Sequence, residues 1–168
     1  RVGMGRKLDG EERSAATEAR NVLIAGLRRG KDPTEDAARV CEFHYRLFLD
    51  MGRENFFSFL TFFFEGDGCV SETSGRPSIL FSQSDAGFLA AVSDTLQHHG
   101  FERLPVFKRG EVCMSATAHE RTRTAWQGHL CGAACLPLAK EMLRIYIDRG
   151  FGTFEKARGL SRLVDHYQ

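Results

Sequence analysis

Residues 54–65, ENFFSFLTFFFE, carry six of the fourteen phenylalanines in the chain. On a helix, Phe56, Phe57, Phe59, Leu60, Phe62, Phe63 and Phe64 fall around nearly the whole circumference instead of along one stripe, so the helix is stable only when covered on several sides. A chain of 168 residues can bury roughly 70% of the surface it exposes when unfolded. Either that core takes in all six rings and becomes unusually aromatic, or the surplus forms an apolar surface that a partner must cover. The run is broken by Ser58 and Thr61 and falls far short of the roughly 20 apolar residues of a bilayer-spanning helix. Apart from Arg53, cationic residues do not flank it, which argues against insertion into a membrane surface.

Around this segment the pattern predicts helices. Residues 10–29 begin acidic and end in Arg28-Arg29-Gly30, which suits the helix dipole and supplies a terminal glycine. Asp32-Pro33 starts a second helix, antiparallel to the first, that carries Val40, Tyr45, Leu47, Phe48 and Met51 and closes at Gly52. Residues 66–78 form a Gly/Ser-rich loop, followed by Ile79-Leu80-Phe81, which is too short to classify. Ser82 or Ser84 caps a helix through Phe88, Leu89, Val92 and Leu96 to Gly100. Residues 104–116 read as a short β-hairpin or an extended linker, and Thr117 with Glu120 as a capping box for a short helix that Gly128 ends. Helices over 136–149 and 153–167 complete the chain. The expectation is a single helical domain over 1–168, mainly all-α, with six to seven helices in antiparallel hairpins. Three helix ends, at Gly52, Gly100 and Gly150, look alike and hint at an internal repeat. Residues 138–157 look faintly like tetratricopeptide or pentatricopeptide helices but lack their aromatic, Gly and Pro signatures.

Lys plus Arg number 23 against 22 for Asp plus Glu, so net charge gives no field to hold nucleic acid or an anionic membrane. The clusters Arg28-Arg29-Lys31, Lys108-Arg109 and Arg121-Arg123 are small and balanced by nearby acids, which leaves a nucleic-acid partner weakly supported. The five cysteines, an odd number lying mostly in helix-like segments, favour a reducing, intracellular compartment, a matured organellar protein included. The chain starts at Arg1 without a signal-type apolar stretch, as a fragment or a matured product would.

The strongest metal-ligating set is Cys113, His119, His129, Cys131 and Cys135, with Cys131 and Cys135 able to share a helical face at i and i+4. It lacks paired C-x-x-C knuckles, and Cys135 is equally a small buried hydrophobe. Gly128-His129-Leu130-Cys131-Gly132 sets a thiol between glycines without the strand, turn and helix of a nucleophile elbow. Neither G-x-G-x-x-G after a strand nor G-x-x-x-x-G-K-[ST] occurs. The reading that results is a non-catalytic helical interaction protein: an accessory or scaffold subunit in a hetero-complex with other protein subunits, needing no cofactor. Its interface would be Phe56, Phe57, Phe59, Phe62, Phe63 and Phe64. A regulatory or nucleic-acid-associated module with a zinc site on the Cys/His set is the alternative. An enzyme whose groups converge only in three dimensions is the third.

Overall fold

A computed structural model describes residues 33–72, 75–114 and 121–168, without the side chains of 33–36, 111–114 and 121–123. The predicted helix over 10–29, and its pairing with the next, lie outside these residues. Among the described residues the fold is mixed α/β, which corrects the mainly all-α expectation. Five α-helices accompany a four-stranded antiparallel sheet. In chain order the elements are α1 (Pro33–Asp50), α2 (Gly52–Asp67), β1 (Gly68–Ser71), β2 (Ser78–Gln83), α3 (Ala86–His98), β3 (Val106–Met114), β4 (Arg121–Cys131), α4 (Leu136–Asp148) and α5 (Glu155–Tyr167). A 3-10 turn, Gly132–Cys135, leads from β4 into α4.

The sheet assigns one segment that the sequence left unclassified and corrects three expectations. Ile79-Leu80-Phe81 forms the middle of β2, an interior strand paired with β1 on one side and β4 on the other. Part of the expected loop, Gly68–Ser71, is the edge strand β1. The short helix expected up to Gly128 is replaced from Arg121 onward by β4, whose Thr122, Thr124 and Trp126 are good strand formers. Thr117 and Glu120 lie outside the described residues. Gly128 does not stop a helix: a Cβ there would lie 2.6 Å from Leu104 Cδ2, so the glycine makes room for a core leucine. The hairpin expected within 104–116 is instead formed by β3 with β4.

Strand order β1-β2-β4-β3 places β4 between β2 and β3, which α3 joins. Beyond Trp126 toward its start, β4 pairs with β3 alone, so this end continues as a two-stranded ribbon with a register shift between Lys108 and Gly110. The helices and one face of the sheet share a continuous core that includes Phe48, Phe57, Ile79, Phe81, Leu96, Leu130, Met142 and Leu160. In the strands, Ile79, Phe81 and Leu130 turn to that core, while Leu80, His129 and Cys131 take the opposite face.

The α3 helix begins at Asp85, whose Oδ1 accepts a hydrogen bond from the Phe88 amide at 3.1 Å. The expected caps Ser82 and Ser84 precede it. The three similar helix ends share a termination device. Gly52, Gly100 and Gly150 have φ of 75°, 82° and 77°, a left-handed turn that suits glycine. After α3 and α4 the following amides close it, from Phe101 to the Leu96 carbonyl at 3.0 Å and from Phe151 to that of Tyr146 at 2.7 Å. A strand pair precedes and follows α3, so these ends do not mark a stack of helical hairpins.

Candidate functional site

Burial sorts the six phenylalanines of α2. Phe56, Phe57 and Phe64 are fully buried, together with Leu60 and Thr61, on the broad face that meets α3, α4 and the sheet. Thr61 lies harmlessly among them because its hydroxyl donates to the Phe57 carbonyl at 2.8 Å. Phe59 and Phe63 are partly buried. They stack at a centroid separation of 6.2 Å, and Phe63 stacks on Phe81 at 5.7 Å. Phe62 is 53% exposed.

Phe62 does not stand alone. Its ring meets Phe151 edge-on at 6.1 Å, and Phe151 lies 5.0 Å from Phe154. Phe154 and Ile147 are 42% and 61% exposed. The three rings form an aromatic corner where the outer side of α2 meets the end of α4 and the link into α5, and Ile147 lies against that link, its Cγ1 3.5 Å from a Cβ built on Gly152. Two polar clamps fix that link on α2. The Tyr146 phenol donates to Glu65 Oε2, and Lys156 Nζ donates to the carbonyls of Phe64 and Glu65 at the end of α2. Burial, followed by the Glu65 carboxylate, holds the Tyr146 phenol protonated far above its usual range. The corner is therefore a held surface. Sequence reasoning missed Ile147, Phe151 and Phe154 as parts of it. The available signal was the pair of aromatics flanking Gly152-Thr153 in a short connection, where polar residues are the norm.

The Cys/His set is divided. His129 and Cys131 lie on the outer face of β4, with Cys131 Sγ 3.1 Å from His129 Nε2. Cys135 is buried beneath the 3-10 turn, where its thiol donates to the Gly132 carbonyl at 2.8 Å and burial pushes it up to about 11. Since Cys131 ends a strand, it does not share a helical face with Cys135. Cys113 lies in β3 beside Thr122 of β4, and His119 falls outside the described residues. Among the described residues no three His, Cys, Asp or Glu side chains converge as metal ligands would.

Charged groups mostly satisfy one another. Arg144 pairs with Glu54, Glu141 and Asp148 at 3.0–3.1 Å on an exposed face of α2 and α4. Such solvated pairs contribute about 0–1 kcal/mol each. The backbone brings Lys108-Arg109 and Arg121-Arg123 onto the same β3–β4 hairpin, whereas Arg28-Arg29-Lys31 falls outside the described residues. A depression bounded by Glu72, Gly75, Pro77, Arg162 and His166 is crossed by the 3.1 Å Arg162–Glu72 ion pair. No helix among the described residues is long and apolar enough to cross a membrane.

The chain matches no protein-family model, no curated protein and no solved structure.

Proposed function

We propose that this chain is a non-catalytic interaction subunit that docks on a protein partner through the corner built by Phe62, Ile147, Phe151 and Phe154. One observation carries this reading: the Phe62, half-buried Phe151 and Phe154 rings are contiguous, exposed Ile147 lies against the same link at Gly152, and part-buried polar clamps from Tyr146 and Lys156 hold that link in place. Aromatic anchors of this kind supply much of the binding energy of protein interfaces when a partner desolvates them. The interface is narrower than the whole run of six phenylalanines, because Phe56, Phe57 and Phe64 are committed to the core.

The test is sedimentation of the full chain in extracts of its own cells. The expected result is migration well above its 18.9 kDa mass, abolished by Phe62→Glu combined with Ile147→Glu while the thermal midpoint of the purified variant is unchanged. A wild-type chain that sediments alone overturns the proposal, and so does a double variant that stays in the larger species.

A further inference from the structure

Of the exposed large apolar side chains, Phe62, Ile147 and Phe154 belong to the aromatic corner, whereas Phe43 and Leu47 lie apart from it on α1. They are one turn apart on that helix, at i and i+4, and are 42% and 45% exposed. The same helix buries Val40 and Phe48 against α3: a Cβ built on Gly87 would lie 2.9 Å from Cβ of Val40, and the Phe48 ring is 5.8 Å from that of Phe88. The α1 helix therefore carries two apolar lines, of which only one is buried. The other runs past Arg39, Glu42 and Arg46, which with Phe43 line a shallow depression.

The sequence supplies a complementary stripe directly before α1. Residues 1–32 lie outside the described residues and lead straight into Pro33. Within 10–29, Ala15, Ala19, Val22, Leu23 and Leu27 recur at the three- and four-residue steps of one helical face. Only Gly30-Lys31-Asp32 separates Arg29 from α1, and a link this short joins antiparallel neighbours. Phe43 is ten positions into α1 and Leu47 fourteen, or about 15 Å and about 21 Å along the axis. Counting back the same steps from Arg29 reaches Ala19 and Ala15, so each large exposed side chain falls level with an alanine. Large against small at matching heights is what lets two helices approach closely.

We propose that residues 10–29 dock on the Phe43–Leu47 face of α1 as the first arm of an antiparallel helical hairpin, with Ala19 against Phe43 and Ala15 against Leu47. The chain's own segment is the occupant because a three-residue tether holds it beside this face at an effective concentration that a second copy or another protein does not match. Docking takes Phe43 and Leu47 out of water and covers the second apolar line of α1. The face is separate from the aromatic corner, so the packing does not depend on what binds there.

The experiment follows amide hydrogen exchange of the purified full chain by mass spectrometry. In the wild-type protein the amides of 14–28 are expected to exchange at least about tenfold more slowly than those of an unstructured peptide, at a rate independent of protein concentration. Phe43→Gln combined with Leu47→Gln removes most of that protection, while β2 and α4 keep theirs and report that the rest of the fold is intact. Ala19→Arg removes it from the other side of the contact without touching α1. Thr17→Arg, on the opposite face of the segment, leaves it unchanged. A wild-type segment that exchanges at the unstructured rate overturns the proposal, and so does protection that grows with protein concentration, as docking of a second copy would make it. Protection that survives in a folded Phe43→Gln/Leu47→Gln variant or in Ala19→Arg, or that Thr17→Arg removes as fully as Ala19→Arg, overturns it as well.

Discussion

Gly87 at the start of α3 lies against the backbone of α1 so closely that a Cβ built on it would sit 2.4 Å from the carbonyl oxygen of Ala37 and 2.9 Å from Cβ of Val40. That oxygen belongs to a helix and cannot swing aside as a side chain would. The same contact brings Phe88 beside α1, where its ring meets His44 at 5.1 Å and Phe48 at 5.8 Å. A single missing side chain thus sets the distance between two helices and the aromatic packing beneath them.

Replacing Gly87 with Ala is expected to destabilise the fold even though alanine favours helix by about 0.8–1 kcal/mol. Forcing α1 and α3 apart costs roughly 1–3 kcal/mol on the scale of overpacked cores. Gly66 is the control: it lies in α2, and nothing comes within 4 Å of a Cβ placed there. Gly66→Ala is expected to stabilise by up to about 1 kcal/mol. Urea midpoints of the two variants should move in opposite directions, and a Gly87→Ala protein as stable as Gly66→Ala would show that the two helices separate without loss.

The α2 helix offers a second contrast between residues five positions apart. Phe57 is fully buried between the Phe56 and Phe101 rings, with the Arg53 guanidinium 4.8 Å above its centroid. Phe57→Ala should cost about 3–5 kcal/mol, as removal of a core aromatic does. Phe62→Ala removes a ring that is 53% exposed, and its cost should stay within about 0.5–1 kcal/mol. Chemical denaturation of the two purified variants measures this difference. Similar losses would mean that Phe62 belongs to the core and not to a binding surface.

These contrasts show which parts of the chain are legible from sequence. The ends of α3 and α4 are written locally, in Gly100 and Gly150 and in Pro137 at the first turn of α4, and local signals placed those helices. The sheet is not local. Ile79 and Phe81 become strand residues because β4, more than forty positions on, pairs with them. Within Arg121–Cys131 the strand formers Thr122, Thr124 and Trp126 are outweighed, to a reader of sequence, by the glycine at 128 and the capping pattern before it. Only the neighbouring Leu104 reveals why that glycine is there. Of the aromatic corner, the run in α2 contains Phe62 alone. Which rings stay outside depended on where α4 and its link to α5 dock.

His99 at the end of α3 supplies the pH dependence. Its ring lies 5.8 Å from both Phe56 and Phe57, and its Nε2 is buried without a hydrogen-bond partner. Burial first, then the neighbouring His98 and Arg53, lowers its proton affinity below the ordinary 6.5. Arg53, on α2, approaches the His99 carbonyl at 3.4 Å and also pairs with Glu141 of α4 at 3.5 Å, so a protonated imidazole would face a cation already in place. The unfolded chain binds this proton more readily than the folded one. The stabilisation from neutral His99 is therefore complete above about pH 6.5 and is lost as pH falls through the lower folded value. Urea midpoints should decline from pH 7.5 toward pH 5 in the wild-type chain, a window chosen about the ordinary histidine range. They should decline less in His99→Leu, which keeps an apolar contact with the two rings and has nothing to protonate. Parallel curves for the two proteins would place the acid sensitivity elsewhere, because the other histidines are the same in both.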